Sequence, residues 1–137
     1  AVLVIDNRTG MIVGQALQGR DDLADTWKAL LAPVESLGAS NVRSAVKSGT
    51  DHLSFASYGI PSFNFDQHPR GYFHTHHSQS DTFDKAVEGD LKQASAVMAA
   101  TALELANLPT LLPRGPKPGP DSVPTKPSVG VAAAGGR

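Results

Sequence analysis

The chain opens on an unbroken apolar run, Ala-Val-Leu-Val-Ile at 1–5, the pattern of a buried strand. A second apolar run, Met11 to Leu17, follows Asn-Arg-Thr-Gly, whose Asn and Gly suit a turn, so residues 1–17 read as a β-hairpin. From Asp22 to Leu37 the period changes. Leu23, Trp27, Leu30, Leu31, Val34 and Leu37 recur at steps of three and four, which predicts an amphipathic helix. Pro33 lacks the N–H a helix needs and should break or kink it, and Gly38 should end it. Asn-Val-Arg-Ser-Ala-Val (41–46) and Ile-Pro-Ser-Phe-Asn-Phe (60–65) read as strands on either side of a short helix over 50–59 closed by Gly59. A last helix is predicted from Asp90 to Ala106, with Leu91, Ala94, Val97, Met98 and Leu105 on one face and Asp90 with Gln93 as a capping pair.

Strand and helix therefore alternate, which predicts an α/β unit with a mixed sheet, antiparallel in part because of the first hairpin. The pattern stops abruptly after the last helix. Seven of the ten prolines fall between 109 and 127, and Val-Gly-Val-Ala-Ala-Ala-Gly-Gly-Arg closes the chain. Residues 1–108 are read as the folded domain and 109–137 as a Pro/Gly-rich disordered tail that cannot build a core. The chain starts on a core strand without an initiator Met, which suggests a piece of something longer.

Charge narrows the partners. With 12 basic and 13 acidic residues the net charge is -1, which offers neither the footprint of a nucleic-acid binder nor a polybasic membrane patch. No apolar run approaches the roughly 20 residues that span a bilayer. There is no cysteine, so any metal must be held by His, Asp or Glu.

Three places carry candidate chemistry. Asp6 ends the first apolar run, at the carboxyl end of a strand, where open α/β sheets place their ligand sites; an aspartate opening the turn into Asn-Arg-Thr-Gly would have the same pattern. In Gly-Thr-Asp-His-Leu-Ser-Phe (49–55), Thr50 or Asp51 can cap a short helix, and an Asp-His pair can orient an imidazole beside a pocket. The third place is Gly71 to Asp84. All five histidines lie between His52 and His77, and three of them, His74, His76 and His77, fall here. Neighbouring side chains of an extended segment point to opposite sides, so the three rings are not expected to converge on one ion.

The order Gly-Thr-Asp-His-Leu-Ser-Phe, Gly-Ile-Pro-Ser-Phe-Asn-Phe, His-His-Ser-Gln-Ser-Asp-Thr-Phe-Asp and a long helix resembles the carboxyl-terminal part of the co-catalytic zinc exopeptidases, the family of bacterial leucyl aminopeptidase and plasma glutamate carboxypeptidase. Its final metal-binding histidine opens a His-Thr/Ser-x-x-Asp-Thr motif, which His77, Ser78, Asp81 and Thr82 match and His74 and His76 do not. Leu-Val-Ile-Asp-Asn-Arg-Thr-Gly resembles the family's core strand ending in a metal-binding aspartate. The resemblance, over residues 1 to about 113, thus implies Asp6 and His77 as metal ligands, one on each of two zinc ions. It implies Asp51, His52 and Phe55 as residues shaping the substrate pocket, and the C-terminal portion of a three-layer sandwich as the fold.

The family's His-x-Asp motif, bridging aspartate and Glu-Glu pair have no counterpart here, and Glu35, Glu88 and Glu104 do not match the general base. The resemblance therefore implies an exopeptidase parent acting on a peptide or dipeptide, completed by a missing N-terminal part of the same domain, with no catalytic residue in this chain and no activity when isolated. Relatives are commonly secreted or periplasmic. Two other readings stay open: a non-catalytic α/β binding or assembly module, and another zinc-assisted acyl reaction such as glutaminyl cyclisation.

Overall fold

A computed structural model of the chain describes residues 1–6 and 8–115. Four strands, β1 (Val2–Val4), β2 (Ile12–Ala16), β3 (Asn41–Arg43) and β4 (Ser62–Gln67), form one mixed sheet in the order β1-β4-β2-β3. β1 runs parallel to β4, β4 antiparallel to β2, and β2 parallel to β3. The fold is α/β, as the alternation predicts. The hairpin is not formed. All six residues of β4 are buried, so this strand takes a central position between β1 and β2. The seven-residue connection over 5–11 is too long for a tight turn, and crosses the end of β4 through Gly10 N–H to His68 O (3.0 Å) and His68 N–H to Met11 O (2.9 Å).

The amphipathic stretch folds as a 3₁₀ turn (Asp21–Leu23), helix α1 (Ala24–Leu31) and a second 3₁₀ segment (Ala32–Leu37). The change of helix type falls one residue before Pro33, and Gly38, at φ 85°, closes the segment by donating to Glu35 O. Leu23, Trp27, Leu30, Leu31 and Val34 are buried against Phe63 and Phe65. Trp27 meets both phenylalanines edge-on, at 4.8 and 6.1 Å between ring centroids.

Helix α4 (Glu88–Ala106) packs on α1 and β2 through Ala94 and Val97, while Leu91 is exposed. Asp90 and Gln93 do not cap it. The helix starts two residues earlier than predicted, and both side chains face inward: Asp90 pairs with Arg70, and Gln93 exchanges hydrogen bonds with both backbone groups of Ile12. A partner across the core therefore replaced the local cap.

The other face of the sheet is polar. Strand alternation puts Ser62, Asn64 and Asp66 there, all buried, and helix α2 (His52–Ala56) packs against β4 and β1. Beyond α4, Leu108 and Leu112 still pack on the core and Gly115 N–H donates to Gly59 O (3.0 Å), so the folded part continues past 108. The rest of the expected tail, 116–137, lies outside the described residues.

Candidate active-site cleft

Because β1 and β4 are parallel, with Val2 beside Ser62 and Val4 beside Asn64, their carboxyl ends leave the sheet at the same edge. Asp6 follows one and the histidine segment follows the other. Between them lies a cleft of about 580 Å³ lined by Asp6, Arg8, Thr9, Ser48, Gly49, Tyr72, Thr75, His76, His77 and Asp81. The two residues implied as metal ligands thus share one cleft.

The histidine segment is helical only in its first part. Helix α3 (Tyr72–Thr75) ends at His76, and His77 follows it in the left-handed region at φ 52°. That position usually belongs to glycine, since a Cβ costs about 1–2 kcal/mol there. The reversal of the chain swings the His77 ring back onto His76, 4.0 Å between centroids and 20° between planes, and His76 in turn lies 4.5 Å from the Tyr72 ring. The premise of an extended backbone fails at this pair, so His76 and His77 stack instead of diverging, while the third ring is set apart from them. His74 points elsewhere, into a depression with Arg70, Asp84 and Lys85.

The two sides of the cleft are tied together at Arg70. The Thr9 hydroxyl donates to Arg70 O, and Arg70 Nε lies 2.8 Å from the buried Asp90 Oδ2. Opposite, the Ser48–Gly49 wall stands on an ion-pair cluster. Arg43 grips Asp66 with two hydrogen bonds of 2.6 and 2.7 Å, and Lys47 Nζ lies 3.2 Å from Asp66 Oδ1. Burial pushes the Asp66 carboxyl up, yet the Arg43 hydrogen bonds and the Lys47 charge together hold it below 3.8.

Asp51, His52 and Phe55 do not line the cleft. Asp51 is exposed at the start of α2, where its own side chain makes no cap hydrogen bond but the Thr50 hydroxyl accepts from the Asp51 N–H (2.7 Å), and Phe55 is partly exposed on it. His52 is fully buried beside Gln18. Gln18 accepts from the Lys47 N–H through Oε1 and donates to Lys47 O, which leaves its amide N–H facing His52 Nε2. The ring nitrogen there must accept, so the ring is neutral with its proton on Nδ1.

Burial pushes the His52 ring below its ordinary 6.5, and protonation would set an N–H against the Gln18 amide. With the folded value below the unfolded one, the unfolded chain binds the extra proton in the window between them. Stability from this group is therefore complete above about pH 6.5 and lost as pH falls through the folded value. Thermal melts from pH 7 to 5 are expected to show this loss, and H52Q, neutral throughout, to flatten the slope. An identical slope in H52Q would refute the assignment.

The profile of peptidase family M28 matches residues 3–102. The chain belongs to this family. Carboxypeptidase Q of Rattus norvegicus is 26% identical to this M28 chain over 113 residues, 82% of the chain but 24% of the relative, so the chain spans about a quarter of that protein's length. No solved structure gives a significant match.

Several wall residues of this M28 chain escaped the pattern reading. Tyr72, Thr75 and His76 stand at helical spacing, i, i+3 and i+4, a signal visible only if the segment is read as a helix turn. Ser48 and Gly49 have no such signal. Among the described residues no three His, Asp or Glu side chains are grouped to hold a metal ion, and no helix is long and apolar enough to cross a membrane.

Proposed function

We propose that this chain is the carboxyl-terminal part of a zinc-dependent M28 exopeptidase, in which Asp6 and His77 each supply one ligand to a pair of zinc ions. The observation that carries this reading is the shared cleft. The donor chemistry fits: a carboxylate and an imidazole are ordinary zinc ligands, and neither side chain has a hydrogen-bond or ion-pair partner among the described residues. His77 keeps a costly backbone conformation that aims its ring into the cleft, the kind of strain that collects at functional sites.

Paired zinc ions, when bound, polarise a scissile carbonyl and acidify a water. The chain's own residues would bind and orient around them. Asp6 and His77 hold the ions, Tyr72 and His76 brace the His77 ring by stacking, and the Arg70 tie keeps the two walls in register. Asp51 and Phe55 stand outside the cleft lining, on the helix that follows the Ser48–Gly49 wall, and His52 backs that wall through Gln18 and Lys47. The reaction is removal of a terminal residue from a peptide or dipeptide, by a parent that is secreted or periplasmic.

Two donors fall short of the four that a stable zinc site needs, and no glutamate reaches the cleft wall to act as general base. The other ligands and the base come from further protein of the same domain, and the isolated chain binds zinc weakly and turns over nothing. Calorimetric zinc titration of the chain tests the ligand roles. D6N and H77G are each expected to weaken binding by about tenfold or more. H77G should melt no lower than the parent, because glycine accepts the left-handed backbone. Unchanged zinc affinity in both variants would overturn the assignment, and dipeptide hydrolysis by the zinc-loaded chain would overturn the claim of incompleteness.

A further inference from the structure

We propose that Arg8 is a carboxylate anchor in the cleft, so that the substrate presents an anionic group to this chain rather than a continuing neutral peptide. The proposal rests on the peptidase reading of the cleft and adds the substrate class. Three other arginines are already engaged. Arg20 bonds both oxygens of Asp22 and the Pro113 carbonyl, Arg43 grips Asp66, and Arg70 pairs with Asp90. Arg8 lines the cleft, is exposed, and makes no hydrogen bond or ion pair among the described residues. It is the one Lys or Arg in the described cleft wall.

The charge behind it is of the same sign. Lys47 is buried next to the Ser48–Gly49 wall; burial lowers its pKa, Asp66 opposes that, and the charges of Arg43 and Arg8 lower it further. Arg8 therefore stands within electrostatic reach of a lysine whose partner Asp66 is shared with Arg43. Arg43 and Lys47 share the Asp66 carboxylate between them, so it does not serve Arg8, whose acidic neighbours in the cleft lining are Asp6, assigned to metal, and Asp81.

A guanidinium presents a planar fork of donors that a carboxylate accepts in pairs, a match an ammonium lacks. Space is available beside it. Gly49, at φ 82°, has nothing within 4 Å of where a Cβ would stand, and the Ser48 hydroxyl makes no hydrogen bond among the described residues. Arg8 lies two residues from Asp6, so a carboxylate held there would be part of the same substrate whose scissile bond reaches the metal ligands. That carboxylate is either the substrate's free C-terminus or an acidic side chain.

The test is a titration of the full, metal-free chain followed by NMR at the Arg8 Nε–H signal, with three probes: N-acetylglycine, N-acetylglycinamide and N-acetylglutamic acid α-amide. At least one acid is expected to move that signal and bind about tenfold or more tighter than the neutral amide, a difference that R8M abolishes and R8K keeps in part. Preference for N-acetylglycine assigns the anchor to a C-terminal carboxylate, and preference for the glutamyl probe to an acidic side chain. Equal binding of acids and amide, or an acid preference that survives in R8M, overturns the proposal. Zinc titration of the parent, R8M, D6N and H77G separates this from the ligand assignment: zinc binding weakened in D6N and H77G but no acid preference in the parent sinks the anchor alone, whereas zinc binding indifferent to D6N and H77G sinks the metal reading and leaves the carboxylate result standing.

Discussion

Gly14→Ala is expected to abolish the native sheet. A Cβ on Gly14 would stand 1.9 Å from the Asn41 carbonyl oxygen and 2.6 Å from its carbon, and both belong to the backbone of the paired strand β3. No rotamer relieves a clash between main chains. β2 and β3 would have to part, exposing Val42 and opening the seam above Trp27. We expect a loss of at least about 3 kcal/mol, the upper end for overpacking, or a fall in Tm of about 12 °C or more. Against a total stability of about 5–15 kcal/mol, the variant should express poorly or melt without a cooperative transition. Gly38→Ala is the control. Gly38, unlike Gly14, is left-handed, and it has open space around it, so strain alone, about 1 kcal/mol, should act there. Equal melting of G14A and the parent would mean that β2 and β3 do not pair as described.

Asp66→Ala should be nearly as damaging, for an electrostatic reason. It removes the one carboxylate that Arg43 and Lys47 share and leaves the Lys47 ammonium buried, its side chain only 10% exposed, without a counter-charge. Breaking a buried pair from one side costs about 3–5 kcal/mol. The double variant D66A/K47M removes the stranded charge as well and should recover a large part of that loss; guanidinium melts of the four-member cycle give the coupling directly. If the double variant is no more stable than D66A, the ion pair is not what supports this wall. The same pair sets an acid limit. The folded carboxyl titrates below its unfolded 3.8, so its contribution is complete above that value and is lost as pH falls through the folded one. Ser48 and Gly49 continue directly from Lys47 into the cleft, so D66A should also broaden NMR signals of the cleft wall.

Much of the fold was legible because periodicity reports burial. The Leu23-to-Val34 stripe, the break at Pro33, the stop at Gly38 and the buried Phe63 and Phe65 all follow from local pattern. The hairpin and the Asp90–Gln93 cap failed for a common reason: both inferred a partner from sequence proximity where the partner is distant. β4, some fifty residues away, separates β1 from β2, and Ile12 and Arg70 claim the side chains that a local cap would have used. The site divides in the same way. Asp6 and His77 were found from motif and order, whereas Arg8, Ser48, Gly49, Tyr72, Thr75 and His76 join the cleft through geometry that no short window contains.

By itself the sequence determined an alternating α/β chain, a helix with one apolar stripe, and two candidate ligands some seventy positions apart. Only the tertiary structure decided that they meet. Parallel pairing of β1 with β4 sends two strand ends out of one sheet edge, and a left-handed residue after α3 turns the His77 ring into the gap. Strand direction and neighbour choice depend on which surfaces bury each other across the whole chain. Residue types in order carry that information only jointly.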